Sequence, residues 1–416
     1  MGQGSGIKSG NFLLMLWLSA MPIPGSTGVQ AAEPDQACGW RGDGTGLYPK
    51  AAPPLTWDGE TKKNILWSVK TGAGKFTSPI VMGDKIFAVS EPSQLICLEA
   101  RSGKVLWQKP NGFSELPAKV EEKKARGSPG NVTPTPVSDG RFVYVTFGCG
   151  IVGCYDLEGQ RQWLKYIEQP PGTEFGRSSS PVLAGDKLLV NIHHLMALEA
   201  RTGELLWQNQ KVIEKYGTCA VMTVGGSKVV LSPSGHIVRL KDGAILGAIP
   251  ELQYVSPLIH GTVAYFVGAT TAAIEFTAPT SDSIKTKTLW TTDLEGTFFA
   301  SPVRDQGLLF VVSNEGDLSV LNVSDGKNLG TTELEIPAAT GRNNLPAANI
   351  YPSLTIASGH LFLSNDAGDT FVLVPGREYK EASRNHLPAG SGGTPAFAAG
   401  RIYARAGEYL YCIGEK

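Results

Sequence analysis

The sequence predicts an all-β chain folded as an eight-bladed β-propeller of four-stranded blades, closed by an N-terminal strand on the C-terminal blade. Recurrence is the first reason. Ser78-Pro79, Thr135-Pro136, Ser180-Pro181, Ser256-Pro257, Ser301-Pro302, Tyr351-Pro352 and Thr394-Pro395 each open a short apolar strand followed by a turn. An eighth unit opens near Val221-Met222, where Gly226-Ser227-Lys228 stands where the first unit has Gly83-Asp84-Lys85. The mean interval is about 45 residues, the length of a four-stranded blade. A tryptophan at a fixed offset is the second reason: Trp107, Trp163 and Trp207 each lie four residues after a turn glycine, Gly103, Gly159 and Gly203. The third is a strand count that balances only when the two chain ends share a blade.

Residues 1–31 read as a targeting segment. Lys8 supplies a weak positive start, residues 12–23 an apolar stretch, and Val29-Gln30-Ala31 a small-residue cleavage site. Pro22 and Pro24 break the apolar run, which falls short of the roughly 20 residues needed to span a bilayer. The mature chain is therefore expected to be exported, periplasmic or extracellular, without a transmembrane segment; an uncleaved anchor is the alternative. Asp35-Gln36-Ala37 is too polar to make Cys38 a lipidation site. Residues 32–63 form a lead-in, and residues 64–416 a single propeller domain.

Residues 64–70, Asn-Ile-Leu-Trp-Ser-Val-Lys, have the pattern of an outer strand, tryptophan included, with no inner strands before them. The first unit then runs through a short strand, a turn at Gly83-Asp84, a β-branched strand, a third strand, a turn at Ser102-Gly103 and an outer strand ending on Trp107. The third unit repeats this closely, to Trp207. Units four, six and seven carry Gly247, Gly330 and Lys380 where the others have tryptophan, so docking there is expected to be looser. The last unit supplies only three strands. Placing residues 64–70 on it closes the ring and leaves no free edge. A seven-bladed ring would follow if the irregular fourth unit were not a blade.

Composition agrees with this plan. Fifty Gly and 27 Pro with 18% charged residues suit a turn-rich β chain rather than an α/β one. Net charge of −1 argues against nucleic acid as a partner. Cys97, Cys154 and Cys412 hold the same third-strand position in different units, too far apart for disulfides, and read as buried apolar residues. Cys149 and Cys154 flank a short hairpin and could pair locally.

Metal and catalytic motifs are weak. His193-His194 lies at a hairpin turn, where successive strand residues point apart, so the pair reads as exposed rather than metal-binding. Residues 313–317 and 364–369 are acidic but lack the carboxylate spacing of a calcium loop and fall where hairpin turns belong. The mixed-charge run 119–126 reads as a solvated loop segment. No phosphate-binding loop, nucleophile elbow or His-Glu-x-x-His occurs.

Leu98-Glu99-Ala100-Arg101-Ser102-Gly103 through Trp107, and its copy from Leu198 through Trp207, resemble the tryptophan-docking repeat of quinoprotein-type β-propellers, with Glu99 and Glu199 in place of the usual Asp. The lead-in around Trp40, Trp57 and Trp67 is similar to the start of exported bacterial proteins with PQQ-binding-like propeller repeats. The resemblance implies one of two functions. One is a quinoprotein dehydrogenase acting on alcohols or sugars, with pyrroloquinoline quinone and calcium in the funnel. The other is a cofactor-free binding scaffold like the propeller subunit of the outer-membrane β-barrel assembly machinery (BamB). This chain has no adjacent cysteines and no Cys-x-x-Cys-His segment, so no catalytic residue carries over. The expectation is a non-enzymatic binding or assembly protein with no cofactor and a protein partner in the cell envelope.

Binding usually resides in loops on a rigid ring. The residues just before each unit should line the funnel mouth: Lys75, Asn131, Arg177, Tyr216, Tyr254, Phe299 and Asn349. The longest loops entering the blades are expected at 110–133, 166–178, 334–350 and 377–393.

Overall fold

The computed structural model describes residues 1–2, 37–74, 76–117, 133–168, 177–213, 215–336 and 349–415. Eight sheets follow one another, each an antiparallel meander in chain order from an innermost to an outermost strand. Blade 1 comprises Ile80–Met82, Lys85–Ser90, Gln94–Glu99 and Val105–Pro110. Its two middle strands are almost wholly buried, while the outer strand alternates exposed and half-buried residues. That gradient follows from the ring: middle strands are covered on both faces by neighbouring blades, and outer strands face water. Gly83 turns the first hairpin at φ +62°, a conformation a side chain would strain.

Blades 2 to 7 span 137–166, 182–213, 220–248, 258–293, 303–333 and 355–386. Blade 8 takes three strands from 396–414, and its outermost strand is Ile65–Lys70, paired antiparallel with Tyr409–Gly414 from Ile65 opposite Ile413 to Lys70 opposite Tyr409.

Tryptophans hold five of the seams. Trp67, Trp107, Trp163, Trp207 and Trp290 donate their indole N–H to Ala100 O, Leu157 O, Ala200 O, Leu240 O and Val323 O of the next blade, at 2.8–3.3 Å. Each ring lies on that blade's turn glycine. At Gly243, where φ is +76°, an added Cβ would fall 2.5 Å from the Trp207 ring. The turn glycine of the repeat therefore serves twice, for its backbone conformation and as a flat platform for the preceding tryptophan.

The remaining seams correct one register assignment and one expected loop. Blade 7 places Ser383, not Lys380, at the tryptophan position, because Lys380 O closes the preceding turn on Val374 N and the outer strand begins at Glu381. That strand, Glu381–His386, also lies inside the stretch 377–393 expected to be a loop. The gap beside Ser383 is filled from elsewhere. Trp57 of the lead-in lies buried there and stacks on Phe362 at 6.5 Å, while Ser383 and Asn385 donate to Leu55 O. Blades 4 and 6 have Gly247 and Gly330 at this position. Hydrogen exchange should thus be faster in the outer strands of blades 4 and 6 than in blades 1 to 3, with blade 7 protected by its borrowed tryptophan. Uniform protection measured around the ring would contradict this packing account.

The lead-in is built into the ring. Cys38 bridges to Ser138 on the inner strand of blade 2, and Leu47–Tyr48 add a parallel fifth strand inside Thr355–Ala357 of blade 7. Between them Arg41 is buried in the channel. Its Nη2 donates to Thr45 O, Pro302 O and Leu354 O at 3.1, 2.6 and 2.9 Å. Burial pushes its pKa down to about 10, which leaves a cation at neutral pH clasped by carbonyl dipoles. None of the six cysteines forms a disulfide; Cys149 and Cys154 are both buried thiols, and burial raises the pKa of Cys154.

Candidate functional site: the funnel mouth

A belt of hydroxyls fixes the geometry of the mouth. Ser78, Thr135, Ser180, Thr218, Ser256, Ser301, Ser353 and Thr394 are buried at the start of the eight inner strands. The backbone N–H of each donates to the side-chain hydroxyl of the next, and Thr394 N closes the circle on Ser78 Oγ; all eight bonds measure 2.8–3.2 Å. The chemistry explains the repeat. A short hydroxyl side chain is needed at each blade, and a following proline, having no N–H, leaves no donor unsatisfied as the chain turns into the strand. Two unit openings shift accordingly. The fourth belt member is Thr218, followed by Cys219, rather than Val221-Met222; the seventh is Ser353, two residues past Tyr351.

Two positions before the belt, the side chains reach the mouth. Tyr216, Tyr254, Phe299, Tyr351 and Phe76 occupy this position in blades 4, 5, 6, 7 and 1, all half-buried. Neighbouring rings touch in sequence: Tyr216 stacks on Tyr254 at 5.3 Å, Tyr254 meets Phe299 edge-on at 4.5 Å, Phe299 lies 5.1 Å from Tyr351, and Tyr351 meets Phe76 edge-on at 5.0 Å. Gly392 lets the arc end against blade 8, since a Cβ there would lie 2.3 Å from the Phe76 ring. The result is a continuous aromatic crescent over more than half the funnel rim.

Of the expected mouth residues, the structure brings together Tyr216, Tyr254 and Phe299. Arg177 is buried on the blade 3 side; burial first, then His194 and the charge of Arg177, hold the pKa of His193 below the usual histidine value. Asn349 serves the loops rather than the rim: its N–H donates to Asp366 Oδ1 and its Oδ1 accepts from Asn314 Nδ2. Lys75 and Asn131 lie outside the described residues, as do the run 119–126 and residues 3–31 of the targeting segment. Phe76 and Tyr351 were missed. Their signal was present, an aromatic two residues before a belt hydroxyl, but taking Tyr351-Pro352 as a unit opening moved the expected mouth residue to Asn349.

The other candidates resolve locally. His193 adopts φ +65°, which breaks strand alternation and sets its ring 3.8 Å from that of His194 rather than on the opposite face. Among the described residues no group of three or more His, Cys, Asp or Glu could hold a metal ion. Hairpins 313–317 and 364–369 spend acceptors on protein N–H groups: Asn365 Oδ1 accepts from the N–H groups of Ala367, Gly368 and Asp369. Glu315 is likewise engaged, accepting from Thr297 N. Below the belt, the lead-in fills the channel beside blades 6 to 8, and a cavity of about 370 Å³ remains between it and the inner strands of blades 3 to 5.

Eight four-stranded blades with tryptophans docked across most of their seams, a closed hydroxyl belt and an aromatic rim define a quinoprotein-type propeller. The chain belongs to the family described as outer membrane protein assembly factor BamB, whose profile matches residues 58–245 and 255–413. Among curated relatives, the outer membrane protein assembly factor BamB of Legionella pneumophila is 24% identical over 196 residues, 45% of this chain and 47% of that protein. That of Burkholderia pseudomallei is 27% identical over 184 residues, 42% of each. The matches thus span less than half the length of these relatives. The crystal structure of BamB from Moraxella catarrhalis superposes with a TM-score of 0.57 at 13% identity, covering 84% of this chain and 98% of that one, and shows the likeness of fold. Among the described residues no helix is long and apolar enough to cross a membrane.

Proposed function

We propose that this chain is an exported, non-enzymatic scaffold of the cell envelope that holds a protein partner on its aromatic mouth, in the service of outer-membrane protein assembly. The crescent from Tyr216 to Phe76 is the observation that carries this reading. Clustered, half-buried aromatic side chains are the typical anchors of protein interfaces, because they offer area at little cost in rotamer entropy. The rigid belt beneath them means that little ordering is required on binding. Family membership supports an assembly role. The donor set weighs against a quinone dehydrogenase. The five rim positions offer rings and no carboxylate, and the nearby Glu315 and Asp366 are engaged by Thr297 N and Asn349 N, so these residues do not fit calcium-held pyrroloquinoline quinone.

A photo-crosslinking residue in place of Tyr254 should capture an outer-membrane assembly protein in cells, and one in place of the outer-strand residue Lys287 should not. Replacing Tyr254, Phe299 and Tyr351 together by Ala should weaken that partner's binding at least about tenfold, since single anchors of this kind contribute about 2 kcal/mol or more. Unchanged binding would refute the mouth as the site. Calcium-dependent retention of pyrroloquinoline quinone with dye reduction by alcohols or sugars would instead restore the dehydrogenase.

A further inference from the structure

The channel cavity lies below the aromatic rim, and its walls follow from how an innermost strand meets the axis. Side chains along a strand point to its two faces, here the neighbouring blades, so the edge turned to the channel is backbone. In an antiparallel pair, alternate residues turn N–H and C=O away from the partner strand. The third residue after each belt hydroxyl is of this kind, and the lead-in uses it twice. Ser138 in blade 2 exchanges two bonds of 2.8 Å with Cys38, and Ile356 N in blade 7 donates to Gly46 O at 2.8 Å. In blades 3, 4 and 5 the same position holds Leu183, Val221 and Ile259, and all three line the cavity of about 370 Å³. Among the described residues, no protein group bonds their inward N–H or C=O.

These groups disfavour a purely apolar occupant and suit one that carries amides of its own. Charge does not select, because the lead-in brings both signs. Arg41 lies over the Trp40 ring at 5.3 Å and interacts with Asp43, whose Oδ1 accepts from Thr45 N at 3.0 Å. The volume falls in the range of small-molecule sites, roughly 300–1,000 Å³. Blade 4 is the middle of the three, and its inner strand Ala220–Val224 has five residues against two or three in the other blades. We propose that the cavity binds a short uncharged peptide in extended form. It adds a strand inside Ala220–Val224, as Leu47–Tyr48 do inside blade 7, with Leu183 and Ile259 on either side.

The test uses the mature chain and two probes, acetyl-Ala-Val-Ala amide and the same peptide N-methylated at its backbone amides. By calorimetry the plain peptide should bind saturably with a Kd below about 1 mM, and N-methylation should weaken it about tenfold or more by removing donors. On adding the plain peptide, amide exchange should slow at Leu183, Val221 and Ile259. It should stay unchanged at Ile356, whose N–H already serves Gly46 O. Val221→Pro removes one inward donor at a strand edge, where proline is tolerated, and should weaken binding about two- to tenfold. The exchange measurement needs no variant and decides the matter if that one fails to fold. No saturation up to about 1 mM, an N-methylated peptide as tight as the plain one, or unchanged exchange at all three amides would overturn the proposal. Binding that appears only after residues 32–36 are removed would also overturn it, since the chain's own start would then be the occupant. Partner capture at Tyr254 is read independently, so either idea can fail without the other.

Discussion

Removing residues up to Lys70 should give a protein that aggregates or melts far below the intact chain. The deletion takes the outer strand from blade 8 and leaves Tyr409–Gly414 as an open sheet edge. It also removes Trp67, whose ring covers Gly103 and whose N–H reaches Ala100 O across the seam to blade 1. Trp67 is half-buried, but the buried Trp57 goes with the same deletion, and loss of a buried tryptophan alone costs roughly 3–5 kcal/mol, against about 5–15 kcal/mol for a typical domain. Two further losses come with the lead-in. Without Trp57, the seam between blades 7 and 8 has only Ser383 at the docking position. Without Arg41, the carbonyls of Pro302 and Leu354 lose a charged donor inside the channel. A melting curve matching that of the full chain would show that the ring closes by other means.

Trp207→Ala should be among the most damaging single substitutions, lowering stability by about 3–5 kcal/mol in chemical denaturation. Trp207 is 9% exposed, packs with Leu189, Val230 and Val238, and donates to Leu240 O at 2.9 Å. Its removal opens a cavity between blades 3 and 4 and leaves the Gly243 turn uncovered. Trp207→Phe should restore most of the buried area while losing the hydrogen bond, at a cost nearer 1 kcal/mol. If Ala and Phe destabilise equally, the seam is held by the indole N–H rather than by area. A loss below about 1 kcal/mol in the Ala variant would mean that docking is not what holds these blades together.

Much of this architecture was legible in the residues. The strands, the hairpin turns and the tryptophan four residues beyond a turn glycine are local patterns. They depend on strand alternation, backbone freedom at glycine and the size of an indole, all of which operate within one blade. The count of strands also implied that residues 64–70 belong with the last blade, since an outer strand with no inner strands before it needs a partner elsewhere. The mouth was legible in part: Tyr216, Tyr254 and Phe299 came from their place before a unit, and Phe76 holds the same place before Ser78, where Lys75 was expected instead, whereas Tyr351 needed the belt to set the register.

The belt itself lay beyond local pattern. Its hydroxyls accept from residues 38 to 57 positions away, and its last bond spans 316. Only closure of the ring brings Thr394 to Ser78, and only that circle shows that Ser353, not the residue before Pro352, is the seventh member. The lead-in is the clearest case. Arg41 binds carbonyls 261 and 313 residues distant, and Trp57 takes a docking place that blade 7 leaves empty. Short-range periodicity determined what each blade is. How residues 37–63 of the lead-in plug the channel, complete a seam and leave a cavity was decided by packing between residues hundreds of positions apart, where sequence spacing carries no information about contact.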